Sequence, residues 1–382
     1  MSIDVVTPAD RVRHGHTHDN FPMRDITPDV ANYTLVFDRL RADSPRIRWP
    51  EFLGRAVEIC SGKSSEGLSP EQTIRGALSG GNVQAAMLGL TNQKLIQGFQ
   101  SVPSSIAGWS TEVEIHDFLP AAALSAYDGF RLEDAGRGPA AHAFLGLLRE
   151  GWALGRFSRQ IVLDETDLLN ASVDLCLLSV VELGKSCRRL VLDLAWCVLL
   201  QNAAMSYDGN ALFSTQHANY LTGAGSDLAS ALDTGMSMLA AQAAPDAEFA
   251  EVPIPVGCRP KFLIVPPATY AAALRQVRLM KQDADQDLTV VCEPRISLGT
   301  VGPNDEIIPG KPAGWLLASP ASIAPSLLLG SLEGQGLTPI IRPYELGGPG
   351  PYGGQWGWGA DVHLDLAVCI VDWRPLVWSD GV

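Results

Sequence analysis

The stretch of sequence that decides the fold lies between residues 156 and 219. It begins with the strand-like run RFSRQIVL (156–163) and the acidic break DETD (164–167), and it ends with a turn and the segment after it, DGNALFSTQHAN (208–219). Between these parts, from about Ala171 to Gln201, apolar or small side chains recur at alternating steps of four and three, which predicts a helix. They are Val173, Leu177, Val180, Gly184, Cys187, Val191, Leu194 and Val198. No proline interrupts this segment, so at about 1.5 Å per residue the helix would be about 45 Å long. Such a length suits a structural strut.

The composition bounds the class of protein. The chain has 382 residues, of which 46% are apolar and 18% charged, so it can form two or three compact units and bury surface against other chains. The formal net charge is −14, which argues against a broad basic face that grips nucleic acid. The charge does not argue against a container that encloses nucleic acid.

Cysteine usage and the N-terminus predict a soluble protein made in the cytoplasm. The seven cysteines are scattered without a CxxC pair, as expected of free thiols in a reducing compartment. The N-terminus lacks the basic and apolar regions of a secretory signal. The long periodic segment carries charged residues, among them Asp174, Glu182 and Lys185, which exclude it as a membrane span.

The remaining segments predict an α+β protein. Helical periodicity is found at 29–42, 50–60, 70–79, 82–100 and 227–242 and from 267 towards Lys281. Strand patterns occur at 110–118, 262–265, 288–295 and 360–375, and the apolar run WLLA (315–318) precedes a proline-bounded segment. The glycine-rich residues 127–155 are predicted to form a long hairpin that returns into the strand at 157–163. After the strand at 288–295 the sequence predicts a polar loop as far as Pro312.

The sequence contains no motif of a known reaction centre. It has no GxxxxGK[ST] phosphate loop, no HExxH zinc motif and no GxSxG nucleophile elbow. The histidines that remain as candidate general bases are His116, His142, His217 and His363. Near the N-terminus the alternating His14, His16 and His18 are candidate metal ligands, but only Asp19 is a suitably spaced partner. We therefore predict no catalytic residue and no cofactor, and we favour an assembly protein over an enzyme.

The order of motifs resembles that of tailed-phage major capsid proteins, in particular the Mu-like head subunits and the capsid half of prohead protease–capsid fusions. The resemblance begins with GRFSRQ (155–160), the long helix and the DGNALFS and HAN motifs. It continues in the family's order with PKFLIVPP (260–267), VVCEPR (290–295), WLLASP (315–320), LEGQ (332–335) and VDWR (371–374). It covers roughly residues 82–376. Each motif is weak alone, and their common order is specific.

This resemblance implies the HK97 fold, an α+β fold with a long spine helix, an extended β-hairpin loop, and peripheral and axial domains. The implied division begins with an N-terminal arm or helical segment (1–100), the first part of the peripheral domain (101–126) and the extended loop (127–163). It continues with the spine helix of the peripheral domain (164–209), a mainly axial domain (210–345, with 288–298 as a candidate peripheral strand) and a C-terminal peripheral strand (346–382).

The function implied by the resemblance is that of a structural major capsid subunit. Copies of the chain would assemble, as pentamers and hexamers, into an icosahedral head shell that encloses phage DNA without sequence-specific binding. Assembly would take place in the host cytoplasm, without a membrane and with portal, scaffold and decoration proteins as further partners. Two alternatives remain: the shell protein of a cellular nanocompartment, and a soluble hydrolase or transferase with an unrecognised site.

The distribution of lysine bears on how such a shell is held together. Some relatives crosslink covalently through a lysine of the extended loop, yet no lysine occurs here between Lys94 and Lys185. Arginine cannot supply the reactive amine because a guanidinium stays protonated. We therefore expect a shell without covalent crosslinks, and we expect five arginines of the loop to form assembly contacts: Arg131, Arg137, Arg149, Arg156 and Arg159.

Overall fold

The computed structural model describes residues 48–61, 69–70, 72–73, 81–127, 146–170, 173–223, 227–244, 254–284, 288–346 and 357–381. The predicted helix at 29–42 lies outside the described residues, and so do six of the side chains singled out above: His14, His16, His18, Arg131, Arg137 and His142. The chain divides into two compact units, each built from three segments. The first comprises Met1–Pro103, Arg156–Arg189 and Glu333–Asp365, and the second comprises Ser104–Gly155, Leu190–Leu332 and Leu366–Val382.

The described helices and strands confirm the α+β class. The helices are α1 (Trp49–Ser61), α2 (Gly81–Ser101), α3 (Glu165–Asn170), α4 (Val173–Gln201), α5 (Leu228–Ala240), α6 (Pro267–Ala284) and α7 (Arg295–Leu298). The strands are β1 (Ser110–Ile115), β2 (Ala121–Tyr127), β3 (Gly146–Trp152), β4 (Gly155–Asp164), β5 (Tyr220–Leu221), β6 (Phe262–Val265), β7 (Thr289–Cys292), β8 (Thr300–Val301), β9 (Ile307–Ile308), β10 (Trp315–Ala318), β11 (Leu327–Leu332), β12 (Ile340–Leu346), β13 (Gly357–Ile370) and β14 (Leu376–Ser379).

The predicted long helix is confirmed as α4, which has 29 residues. The predicted stripe explains its burial, because Val173, Leu177, Val180 and Val191 are all buried. The preceding strand β4 and the short helix α3 correspond to the predicted strand and acidic break.

The core of the first unit lies between three helices and a sheet. Strand β12 pairs antiparallel with β13, from Ile340 opposite His363 to Leu346 opposite Gly357, and β4 also pairs with β13. Residues of α1, α2 and α4 pack against residues of β12 and β13 in one apolar cluster, which includes Trp49, Phe52, Leu95, Leu177, Ile341 and Trp358.

Two glycines let helices α2 and α4 of the first unit approach closely. A Cβ atom at Gly98 of α2 would collide with the carbonyl oxygen of Val181 of α4. A Cβ atom at Gly184 of α4 would collide with the carbonyl oxygen of Leu95 of α2. The two backbones therefore touch at a point where neither helix tolerates a side chain.

The second unit is built around a sheet with strand order β5-β14-β10-β6-β7. All four residues of β10, WLLA, are buried, as expected of a central strand whose two faces are both covered. Helices α5 and α6 contribute Leu232, Leu239 and Ala273 to a core that also holds Leu263 of β6 and Leu317 of β10.

A second group of strands belongs to the same unit. Strand β1 runs parallel to β11, with Ser110 opposite Leu327, and β11 pairs antiparallel with the end of β13. Strands β2 and β3 form an antiparallel hairpin in which Ala121 lies opposite Trp152 and Tyr127 opposite Gly146.

The structure differs from the sequence predictions at three places. The hairpin begins before residue 127, because its first arm is β2, and β4, which we expected to continue the hairpin, pairs with β13. The predicted polar loop before Pro312 contains the helix α7 and the paired strands β8 and β9. Strands β10, β11, β12 and β14 were not predicted. In the part of the chain that the structure describes, no helix is both long and apolar enough to cross a membrane.

Widening the contact between α2 and α4 should destabilise the first unit. We expect Gly184→Ala to lower the free energy of unfolding by about 1–3 kcal/mol, because the added methyl group forces two packed backbones apart. Thermal or urea unfolding of the unassembled subunit measures this change. Gly151→Ala is the matched control, because a Cβ atom there has no neighbour within 4 Å. Equal stability of the two variants would contradict the described contact.

Candidate assembly surface

The β2–β3 hairpin has one buried and one exposed face. Ala123 and Glu150 lie opposite each other and are both buried. Leu124 and Arg149, the next pair, are both exposed. Because successive side chains of a strand alternate between faces, the hairpin presents an apolar and basic face to solvent.

Glu150 attaches the buried face of the hairpin to the rest of the second unit. Its two carboxylate oxygens accept hydrogen bonds from the backbone nitrogen and the hydroxyl of Ser206, at 2.6 and 2.7 Å. Sequence reasoning missed this residue, because its partner lies 56 positions away in the chain.

The described arginines of the predicted set have different environments. Arg149 is exposed on β3 and Arg159 is exposed on β4. Arg156 forms a two-pronged ion pair inside the first unit, with its Nε and Nη2 atoms each 2.8 Å from the Asp365 carboxylate. This hydrogen bonding raises the pKa of Arg156 above its ordinary value. Arg156, itself 43% exposed, therefore has an ion-pair partner within the subunit, and Arg149 and Arg159 are exposed as well.

The most exposed apolar side chains of the described residues lie on a short ribbon, which we define as residues 295–311. Leu298 and Ile307 are 82% and 83% exposed, and Val301, directly opposite Ile307, is exposed as well. Large apolar side chains that stand together in solvent are typical of a surface that contacts another protein. This surface could not be recognised from the sequence, because polar residues and glycines surround the three apolar ones.

The ribbon is firmly attached at its base. Gly299 has a φ of +81° and a Cβ atom there would collide with the carbonyl oxygen of Ile308. Thr300 donates a hydrogen bond to the backbone oxygen of Asp193 at 3.1 Å, and Arg295 donates to the Asp193 carboxylate at 2.5 Å. The ribbon therefore holds its apolar side chains on a fixed base.

The buried carboxylate of Glu293 holds Arg295 in place. Glu293 is only 2% exposed, and one of its oxygens accepts a hydrogen bond from the Arg295 guanidinium at 3.1 Å. The other oxygen accepts a hydrogen bond from the hydroxyl of Ser105, which in turn accepts one from the Trp196 indole at 3.0 Å. Paired and hydrogen-bonded in this way, the buried charge is stable.

The DGNALFSTQHAN motif (208–219) has a structural role. His217 is buried, stacks on Trp373 at a centroid distance of 4.2 Å, and places its Nε2 atom 2.7 Å from the Asp208 carboxylate. Its Nδ1 atom lies 3.1 Å from the backbone oxygen of Leu212. Because both ring nitrogens face acceptors and the side chain is buried, this histidine holds the turn together.

The other candidates for chemistry are also accounted for. His116 is exposed and His363 is buried. No group of three or more metal-ligating side chains occurs within the described ranges. Burial raises the pKa of the Cys187 thiol to about 11 and that of the Cys369 thiol to about 12, so both stay protonated and unreactive at neutral pH.

The comparison with family models shows the family to which the chain belongs. The phage capsid protein family matches residues 151–379, which include α4, the ribbon and the sheet of the second unit. The chain belongs to this family, and it is a structural subunit of a phage capsid shell. No curated protein matches the chain by sequence.

Several solved structures are similar to this chain at low sequence identity. The capsid of cyanophage P-SCSP1u has 10% identity, with 74% of this chain and 91% of that chain covered and a TM-score of 0.47. The mature capsid of bacteriophage PhiM1 also has 10% identity, with 73% and 87% covered and a TM-score of 0.47. The SrpI encapsulin of Synechococcus elongatus has 9% identity, with 74% and 89% covered and a TM-score of 0.43. Because these scores are low, the family assignment rests on the sequence match.

Acidification should destabilise the first unit through His363. Burial, assisted by the positive charge of Arg342, lowers the pKa of His363 below its ordinary value of 6.5. Below pH 6.5 the histidine is therefore protonated in the unfolded chain while it is still neutral in the folded chain. The free energy of unfolding falls as the pH drops towards the pKa of His363 in the folded chain. The midpoint of urea unfolding should be lower at pH 5.5 than at pH 7.5. In His363→Leu this difference should shrink, and an unchanged difference would exclude His363 as its source.

Proposed function

We propose that copies of this subunit assemble, as pentamers and hexamers, into a closed icosahedral head shell that encloses phage DNA. The family match over residues 151–379 carries this proposal. The proposed partners are other copies of the chain, together with portal, scaffold and decoration proteins, and the proposed place of assembly is the host cytoplasm. The division into an N-terminal segment, peripheral domain, extended loop and axial domain, with the predicted boundaries, stays a prediction.

The exposed apolar side chains of the ribbon supply a driving force for assembly. Fully burying a leucine or isoleucine side chain contributes about 1.5–3 kcal/mol. Leu298 and Ile307 are mostly exposed in the single subunit, so a contact with another copy would supply most of this free energy. Their fixed base reduces the entropy lost on contact with another subunit. We propose the ribbon as one contact between copies, and the exposed Arg149 and Arg159 as polar contacts beside other interfaces.

Enclosure of DNA fits the charge of the chain. A net charge of −14 opposes tight binding of phosphate groups to the protein. DNA would therefore be enclosed by the shell without tight binding to the protein and without recognition of its sequence. A nanocompartment shell would form similar particles, so nuclease-protected DNA in particles from the natural source is the observation that separates the two functions.

The surroundings of His217, a candidate general base, also agree with a structural role. The buried histidine of the 208–219 motif is fixed by Asp208, Leu212 and Trp373. Of the two classes considered, shell protein and soluble enzyme, the family match favours the shell protein. We propose that the subunit has no enzymatic activity of its own.

Electron microscopy of the concentrated, purified protein tests self-assembly. We expect rings or closed shells in the wild type and far fewer in Ile307→Asp, because a charge would be buried wherever the ribbon contacts another copy. Asn304→Asp is the matched control, because it adds the same charge at an exposed position of the same ribbon without removing an apolar side chain. Circular dichroism should show that both variants stay folded. Monomers alone in the wild type would contradict the proposed function, and shells formed by Ile307→Asp would exclude the ribbon as a required contact.

The absence of lysine between residues 94 and 185 predicts shells without covalent links. Boiling assembled particles in detergent should return a single band of subunit mass on a denaturing gel. A ladder of isopeptide-linked oligomers would show that this prediction is wrong.

A further inference from the structure

The ribbon carries negative charge beside its apolar side chains. Asp305 lies at its turn, with a φ of +60°, and is exposed. The neighbouring Glu306 is exposed as well and accepts a hydrogen bond from Gln201. The Asp305 side chain forms no hydrogen bond or ion pair with any described residue. A surface that covers the ribbon should therefore be both apolar and positively charged.

Helix α6 of the second unit has a face with these two properties. Its inner side is buried through Ala273 and Val277. On the outer side, exposed residues recur at steps of three and four and so share one face of the helix. They are Ala268, Ala271, Ala272, Arg275, Arg278 and Leu279. Neither arginine forms an ion pair with a described residue, and Leu279 is 54% exposed.

The apolar and charged groups have similar spacing on the two surfaces. On α6, Arg275 and Leu279 are about 6 Å apart along the helix axis. In the ribbon, Asp305 is two residues from Ile307, which is at most about 7 Å along the chain. An apolar contact and an ion pair can therefore form side by side when the ribbon lies against α6.

The β2–β3 hairpin is the weaker candidate for the same role. Leu124 is 53% exposed there, and the residue opposite it is a single arginine, Arg149. Helix α6 places two arginines beside its exposed leucine. Charge complementarity to the acidic ribbon therefore favours α6.

We propose that the ribbon of one copy contacts the outer face of α6 in the next copy, so that Ile307 packs on Leu279 and Asp305 faces the two arginines. This inference rests on the proposed function, because it names the partner surface of the ribbon within the shell. A single subunit does not make the contact, since Ile307 and Leu279 are both exposed there. Two different surfaces meet, so the contact is heterologous, and copies joined in this way form a ring when the rotation between neighbours closes.

The apolar and the charged parts of the contact have different effects. Exposed ion pairs contribute little to stability, so the affinity comes from the burial of the apolar side chains. Complementary charges steer the encounter and fix the register of two surfaces. Reversing a charge on one side should therefore slow assembly, and reversing the charges on both sides should restore it.

Light scattering during assembly of the purified, full-length subunit gives the first test. Asp305→Arg should slow assembly about tenfold or more, and so should the double variant Arg275→Asp/Arg278→Asp, because like charges then face each other. All three substitutions together should restore the wild-type rate. Arg149→Asp is the matched control and should not rescue Asp305→Arg.

The result of this test can contradict the proposal in three ways. They are an unchanged rate in Asp305→Arg, a combined variant as slow as Asp305→Arg, and rescue by Arg149→Asp, which would place the hairpin on the ribbon. All the substituted positions are exposed, and circular dichroism checks that each variant is folded.

A disulfide formed within assembled particles gives the second test. Particles made from equal amounts of Asp305→Cys and Arg278→Cys subunits should yield, after mild oxidation, a disulfide-linked dimer on a non-reducing gel. Each variant assembled alone should lack this band, which controls for native thiols such as the exposed Cys292. Particles that form without the dimer would overturn the proposed contact and leave the proposed function intact. A wild-type protein that forms no particles would overturn both.

Discussion

The close approach of α2 and α4, at Gly98 on one helix and Gly184 on the other, is the constraint on which the first unit depends. Helices pack at the distance that their side chains permit, and here that distance is set by the absence of side chains on both helices. Leu95 and Leu177 complete the core on the two helices. Because protein interiors are packed as densely as crystals, the unit has no spare volume at this point. Two small residues thus determine how closely α4 lies against its neighbour.

In the second unit a buried polar contact connects the interior with the surface. Glu293 is buried, and both of its oxygens have partners. Through Arg295 it supports the base of the ribbon, which exposes apolar residues to solvent. A satisfied buried charge of this kind costs little only while every partner is present. The same carboxylate therefore joins the interior of the unit to the surface that we propose for assembly.

The sequence predicted the elements better than their pairing. The stripe along α4 and the run in β6 have local periodicity or composition that identifies them. Strand β11 has a nearly continuous apolar run, LLLGSL, and such a run does not by itself distinguish a buried strand from a buried helix. Its neighbour β1 lies more than 200 residues earlier, and no local pattern records such a pairing.

The candidate site was predicted less well than the fold, for a physical reason. Arg156 was predicted to form an assembly contact, and nothing in its sequence neighbourhood indicated its ion pair within the subunit, because Asp365 lies 209 positions away. The ribbon looked like a polar loop because exposure is decided by the surrounding structure, so that the same leucine is core in one place and surface in another. The order of the motifs, which needs no geometry, is what allowed the family to be named from the sequence.

The turn between α4 and β5 shows that an irregular segment need not be a weak point. The side chain of Asn202 hydrogen-bonds both backbone groups of Phe213, and that of Asn219 hydrogen-bonds the backbone of Leu212 and Ser214. Gln242 donates hydrogen bonds to the backbone oxygens of His217 and Ala218. Proteases cut where a chain can unfold locally and enter the active site in an extended form. A segment with this many internal hydrogen bonds cannot do so at low cost. In a phage particle exposed to the debris of a lysed cell, this turn would resist digestion despite having almost no regular secondary structure.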